Sequence, residues 1–302
     1  GYLQSRAYEP DSRGMAAARE AIAGYYARRT PALRISPENV FVVSSTSEAY
    51  SLLLSLLCRP GDAVLEPEIT YPIFELIADN HAVRRLQYSF RPDGFGKAEE
   101  PFMDEDLFGQ AKALFCISPH NPTGHVAGGD SQFLKFGNFP VIVDEVFAEF
   151  TAGTCAVPPL GALLVERPVF HLNGISKMCG LPDFKIAWIA LNDCARERYA
   201  KRLEFLNDLF LNASYPIQSL VPKILRRAPE YRLLVQKRIE ANLEIAEVVL
   251  GACETIRYRP PPAGATLFPR VPVGADEEGF LLSLLDCGLS VHPGYYYNWE
   301  GD

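Results

Sequence analysis

Two lysines frame the stretch best suited to chemistry, residues 173–190, which read NGISKMCGLPDFKIAWIA. Lys177 sits in the short polar turn Ile175-Ser176-Lys177, and Lys185 opens the apolar run 186–191. A lysine in such a setting suits Schiff-base formation, because partial desolvation keeps its amine neutral and nucleophilic. On these residues alone a solvated loop lysine is the better reading, and residues upstream reverse it. Ser45-Thr46-Ser47 follow the apolar run 40–43, Asn121 follows 113–117 and Asp144 follows 141–143, just as Lys177 follows 169–172. A strand running into a hydroxyl-rich helix start is an anion site, since N–H groups and the helix dipole face outward and hydroxyls add donors. N-capping alone needs one such hydroxyl, so the run SSTS at 44–47 tilts toward a phosphate.

The elements that must position these groups are short apolar strands separated by helices. Strands are expected at 40–43, 63–66, 83–88, 113–117, 141–143, 169–172 and 186–191, with helices at 13–29, 48–58 and 73–80. Residues 89–111 read as an irregular surface excursion rich in Pro, Gly and acids. This alternation predicts an α/β fold with a mostly parallel central sheet covered on both faces. In such sheets the ligand lies at the carboxyl ends of the strands. Ser45 to Ser47, Asn121, Asp144 and Lys177 all follow strands, so one rim would gather an anion cradle, an amide, a carboxylate and an amine.

Helices follow at 195–207, 215–226 and 231–250, the last with Leu234, Ala241, Ile245 and Val248 on one stripe. Short strands at 255–258, 265–270 and 289–291 and a helix at 276–285 read as a smaller α+β domain. The expected division is 1–235 for the large domain and 236–302 for the small one.

Composition bounds the function. The chain has 302 residues, 48% hydrophobic and 22% charged, as in ordinary globular proteins. Its net charge of −8, from 37 acids and 29 bases, disfavours a general nucleic-acid partner. Seven scattered cysteines form no CxxC pair, which indicates neither a zinc site nor a disulfide framework and suits a cytoplasmic setting. No apolar run is long enough to span a membrane. The chain opens on Gly1 without an initiator Met and closes after a cluster of aromatics, so both ends read as boundaries within a longer protein.

In this order and spacing the motifs resemble those of the fold-type I pyridoxal 5'-phosphate (PLP) enzymes, specifically the class I/II aminotransferases of the aspartate aminotransferase superfamily. Asn121-Pro122-Thr123-Gly124, then a strand ending in Asp144-Glu145, then Ser176-Lys177 with Gly180-Leu181-Pro182 carry the resemblance. It implies PLP as cofactor, Lys177 as its Schiff-base lysine and general acid/base, and Asp144 as the acid on the pyridine nitrogen. It further implies Tyr71 stacked on the ring, Asn121 on the phenolic oxygen, Ser45, Thr46, Ser47 and Lys185 around the phosphate, and Ser176 as a further cofactor-binding residue. Tyr8 resembles the tyrosine that reaches the neighbouring subunit's phosphate, which implies a homodimer with shared active sites. The reaction implied is amino-group transfer between an amino acid and a 2-oxo acid. A C–S lyase, a decarboxylase or a catalytically silent relative would share the cofactor set, and a PLP-free α/β binding domain would share only the fold.

Departures from the family pattern fall on the same sites. Phe147 stands where a tyrosine usually bonds the phenolic oxygen, Gly174 where a phosphate-binding serine is common, and Lys185 where an arginine fork is usual. The family's substrate-carboxylate arginine lies beyond a stretch resembling 291–295 and has no counterpart here. His120 and His171 read as structural histidines, Cys116 and Cys179 as packing, and Tyr295-Tyr296-Tyr297 as small-domain core.

Overall fold

Alternation within the short strands decides the architecture. In β1 (Val40–Val43) all four residues are buried. Phe41 and Val43 face one apolar core while Val40 and Val42 face another. A strand buried on both sides needs helices on both sides. The computed structural model describes residues 10–88, 109–129, 131, 134, 137–153, 155–272 and 276–299.

Among the described residues the sheet has seven strands in the order β1-β7-β6-β5-β4-β2-β3. The other strands are β2 (Ala63–Pro67), β3 (Arg84–Tyr88), β4 (Ala111–Ile117), β5 (Val141–Asp144), β6 (Val169–Gly174) and β7 (Ala187–Leu191). β7 runs antiparallel to both neighbours, β1 and β6, and the remaining pairs are parallel. The carboxyl ends of β1, β2, β4, β5 and β6 therefore share one edge with the amino end of β7.

Helices α2 (Thr46–Leu57), α3 (Ile73–Asn80) and α5 (Asp193–Leu209) cover one face of the sheet. On the other lie α1 (Ala16–Ala27), the one-turn α4 (Ile175–Met178) and the start of α7 (Val221–Gly251), with the short α6 (Tyr215–Gln218) beside them. The helix expected at 215–226 breaks after α6, and its second half joins the one expected at 231–250 in the 31-residue α7, with Pro229 inside it. α7 also runs unbroken across residue 235. Its polar side fastens it to the segment that follows β5: Arg232 Nη1 donates to Glu149 at 2.9 Å and Gln236 Nε2 to Thr151 at 2.9 Å. Leu234, Ile245 and Val248 are exposed instead of forming a buried stripe.

Beyond α7 the described residues contain one α-helix, α8 (Glu277–Asp286), and a 3-10 turn at Gly294–Tyr297. The strands expected at 255–258 and 265–270 reduce to a single bridge between Arg257 and Arg270, and none forms at 289–291. Those stretches have strand-like residue types but no long partner to pair with. Segment 261–264 instead docks on the main sheet's rim. Gly264 N donates to Phe150 O at 2.7 Å, and Thr151 bridges Ala263.

Candidate active site

Register brings the suspected groups together. Val43 pairs with Ala187 and Ala187 with Gly174, so the ends of β1, β7 and β6 stand side by side at the rim. Ser44 to Ser47 leave that row from β1, Ser176 and Lys177 leave it from β6, and Lys185 lies just ahead of β7. Ile117 pairs with Asp144, which places the 118–124 turn beside the acid.

At the start of α2, Ser45 is the N-cap and accepts from Glu48 N at 3.1 Å. Glu48 folds back, accepting from Ser44 N at 2.7 Å and from the Ser44 hydroxyl. Ser45, Thr46 and Ser47 are each half-buried at this turn. Ser176 is half-buried and Lys177 is exposed in α4, while Lys185 is exposed with a left-handed φ of 48°. Gly174 explains one departure. A Cβ there would lie 2.8 Å from Ile186 O and 3.1 Å from Ala187 Cα and Cβ. The extended backbone is unstrained; the close approach of β7 leaves no room for a serine.

Asp144 is 7% exposed and forms no ion pair among the described residues. Oδ1 accepts from Val146 N at 3.0 Å and Oδ2 from the Tyr50 hydroxyl. Burial pushes its pKa up to about 7, against the lowering effects of the Val146 hydrogen bond and of Lys177. Its neighbour Glu145 goes the other way. Burial raises that carboxyl, but Arg29 and His171 outweigh it and hold the pKa below the usual value. Arg29 Nη1 and His171 Nδ1 each lie 3.2 Å from a Glu145 oxygen. Two adjacent acids with pKa values driven apart are a mark of a functional site.

Lys177 Nζ lies 5.9 Å from the centre of the Phe147 ring. Asn121 Oδ1 accepts from the Thr266 hydroxyl at 3.4 Å, so a residue near the end of the chain reaches the amide. Gly124, at φ +74°, packs under that segment: a Cβ would meet Pro261 Cβ at 2.4 Å and Ala263 O at 2.5 Å. His120 ties this turn to the Tyr71 loop, pairing Nδ1 with the Thr123 hydroxyl and Nε2 with Ile69 O, each at 2.8 Å. Burial drives its pKa down to about 3, so it stays a neutral brace. His171 is likewise engaged, accepting from Gly161 N at 3.1 Å. Tyr71 is 48% exposed between β2 and α3. Thr70 N donates to Tyr297 O at 3.2 Å beside it. Tyr297 packs with the sheet's own core rather than a separate one, while Tyr295 and Tyr296 are exposed. Cys116 is core and Cys179 packs at a core edge. Tyr8 lies outside the described residues.

The rim thus brings together the hydroxyl turn, Asn121, Asp144, Lys177 and Lys185. Sequence reasoning missed Tyr50, Thr266 and Glu145. Only Glu145 carried a signal, as the second acid of Asp144-Glu145. A buried carboxylate without an ionic partner fits a protonated ring nitrogen, and the hydroxyl-rich helix start fits a phosphate. The sheet order, its one antiparallel strand and this rim define a fold-type I PLP architecture.

Comparison with known proteins agrees. The model of the family described as aminotransferase class I and II matches residues 3–302. The chain is 23% identical over 297 residues to tyrosine aminotransferase of Dictyostelium discoideum, spanning 92% of this chain and 70% of that protein. It is 30% identical over 244 residues to a cystine lyase of Arabidopsis thaliana, spanning 76% of this chain and 56% of that protein. The solved structure of a probable N-succinyldiaminopimelate aminotransferase from Thermus thermophilus superposes with a TM-score of 0.82 at 25% identity, covering 94% of this chain and 76% of that one. The chain belongs to the family of class I and II aminotransferases and has the fold of the fold-type I PLP enzymes.

Proposed function

We propose that this protein moves an amino group between an amino acid and a 2-oxo acid, with Lys177 bonding PLP through a Schiff base. The observation that supports this most is the convergence of Lys177 and the ion-pair-free Asp144 on one rim. Ser45, Thr46, Ser47, Ser176 and Lys185 hold the phosphate, with Lys185 acting as a point charge in place of an arginine fork. Tyr71 and Asn121 orient the ring. When bound, the cofactor supplies an electron sink for a carbanion at the substrate's α-carbon. Lys177 Nζ carries the proton to and from that carbon as general acid/base, and an ionised Asp144 keeps the ring nitrogen protonated.

The active unit in this reading is a homodimer in which Tyr8 reaches the neighbouring phosphate. Light scattering tests it, and a monomer at working concentration contradicts it. The division at 1–235 and 236–302 belongs to the same reading, with α7 as a continuous link between the parts. Seven free cysteines suit a reducing, cytoplasmic setting, and among the described residues no helix is long and apolar enough to cross a membrane.

The cystine lyase relative supports a second reading, elimination at the β-carbon. Incubation with candidate amino acids, with and without 2-oxoglutarate, separates the two. Glutamate formation that depends on 2-oxoglutarate supports transfer. Pyruvate and ammonia released without it support the lyase.

A further inference from the structure

Tyr50 has no role in the site as read from sequence, yet it touches the acid at its centre. It lies on α2 and is 5% exposed. Its ring stands edge-on to Phe74, with centroids 5.7 Å apart at 86°, and to Phe115, at 5.2 Å and 84°. Those two rings stack on each other at 4.2 Å and 8°. Phe74 comes from α3 and Phe115 from β4, so three elements fix one phenol. Edge-to-face packing of this kind removes the freedom of the ring and aims its hydroxyl. The target is Oδ2 of Asp144, while Oδ1 is held by Val146 N.

We propose that Tyr50 is a positioning residue for the cofactor's ring nitrogen: its phenolic O–H donates to Oδ2 of Asp144, so that the carboxylate is ionised and fixed in orientation when it accepts from that nitrogen. A donor to a carboxylate favours the ionised form. The other groups around Asp144 do not replace it. Glu145, beside it on the same strand end, raises the Asp144 pKa and is itself committed to Arg29 and His171. Lys177 on α4 lowers it but is the reactive amine. The paired residues on β4 and β6, Ile117 and Leu172, are apolar. Tyr50 also lies five residues after the Ser45 cap, about 7.5 Å along the helix axis at 1.5 Å per residue. One rigid helix therefore presents the phosphate turn and braces the acid.

The inference rests on the PLP reading. The test is the affinity for pyridoxal phosphate across pH 6 to 9, followed by its visible absorbance, in the parent protein, Tyr50→Phe, Asp144→Asn and the double variant. Loss of one charged hydrogen bond raises the acid limb of binding by about one pH unit, which is roughly tenfold in affinity below that limb. Tyr50→Phe is therefore expected to bind about tenfold more weakly at pH 6.5 and nearly as the parent at pH 8.5. The effect should vanish in the Asp144→Asn background. It should vanish too with a pyridoxal phosphate analogue carrying carbon in place of the ring nitrogen. A stronger donor, 3,5-difluorotyrosine at position 50, should move the limb the other way and serves equally if the phenylalanine variant fails to fold. Unchanged binding, or an equal loss at every pH and with both cofactors, overturns the proposal and leaves Tyr50 a packing residue. Absence of a band in the parent itself overturns instead the PLP reading on which it stands.

Discussion

Gly174→Ser separates two accounts of the phosphate site. On sequence grounds the glycine is a lost ligand, and restoring serine should tighten cofactor binding. The structure predicts the reverse. The new Cβ would sit 2.8 Å from Ile186 O and 3.1 Å from two atoms of Ala187. Ala187 is held in the sheet, paired with Gly174 on one side and Val43 on the other, and Ile186 O just ahead of it accepts from Ile175 N at 3.1 Å. No flexible side chain can yield, so the strand must shift. Overpacking of this kind costs about 1–3 kcal/mol. A hydroxyl that found a partner would return about 1 kcal/mol, leaving a net loss of up to about 2 kcal/mol. Urea unfolding of parent and variant without cofactor measures it as a lower midpoint at unchanged slope. An equal or higher midpoint together with tighter pyridoxal phosphate binding would refute the reasoning.

Phe147→Tyr, beside Lys177, adds a donor to the phenolic oxygen and should lower the pH at which the visible band titrates; a spectrophotometric pH titration checks the direction. Glu145→Gln leaves Arg29 buried without its partner and should destabilise by about 3–5 kcal/mol in denaturant unfolding. Because the Glu145 pKa is lowered on folding, its contribution is present above the unfolded value and is lost as pH falls through the folded one, so the parent should lose its advantage over the variant in acid. Asp144 has the opposite sign. Its folded pKa is raised from 3.8 to about 7, so the cofactor-free parent loses stability relative to Asp144→Asn as pH rises from about 4 to about 7. Unfolding at pH 5 and pH 8 tests this, and saturating pyridoxal phosphate should favour the parent at pH 8.

The sheet was legible because its strands are short, apolar and bounded by turn residues. β1 at Val40–Val43 and α3 at Ile73–Asn80 fall where the pattern places them. The hydroxyl turn, Asn121, Asp144 and Lys177 could be placed on one rim because each stands at or just after a strand end, and that position is a property of sequence; Lys185, just ahead of β7, is not of this kind. What stays hidden depends on contacts across space. Nothing in the local pattern shows that β7 presses on Gly174, that Tyr50 reaches Asp144 from another element, or that Thr266 reaches Asn121 across 145 positions. α7 misled for a related reason. Periodicity shows that Leu234, Ile245 and Val248 share a face but not what that face meets; the helix docks through Val221 and Leu225 at its start and through Arg232 and Gln236 further along. Pro229, a residue type that disfavours helix interiors, lies within this helix without ending it.

The visible spectrum of the protein with pyridoxal phosphate, beside that of Lys177→Ala, tests the central claim most directly. The account predicts a band that survives dialysis in the parent, is missing in the variant, and converts when a substrate amino acid is added. A band that persists in Lys177→Ala, or none in either protein, would contradict it.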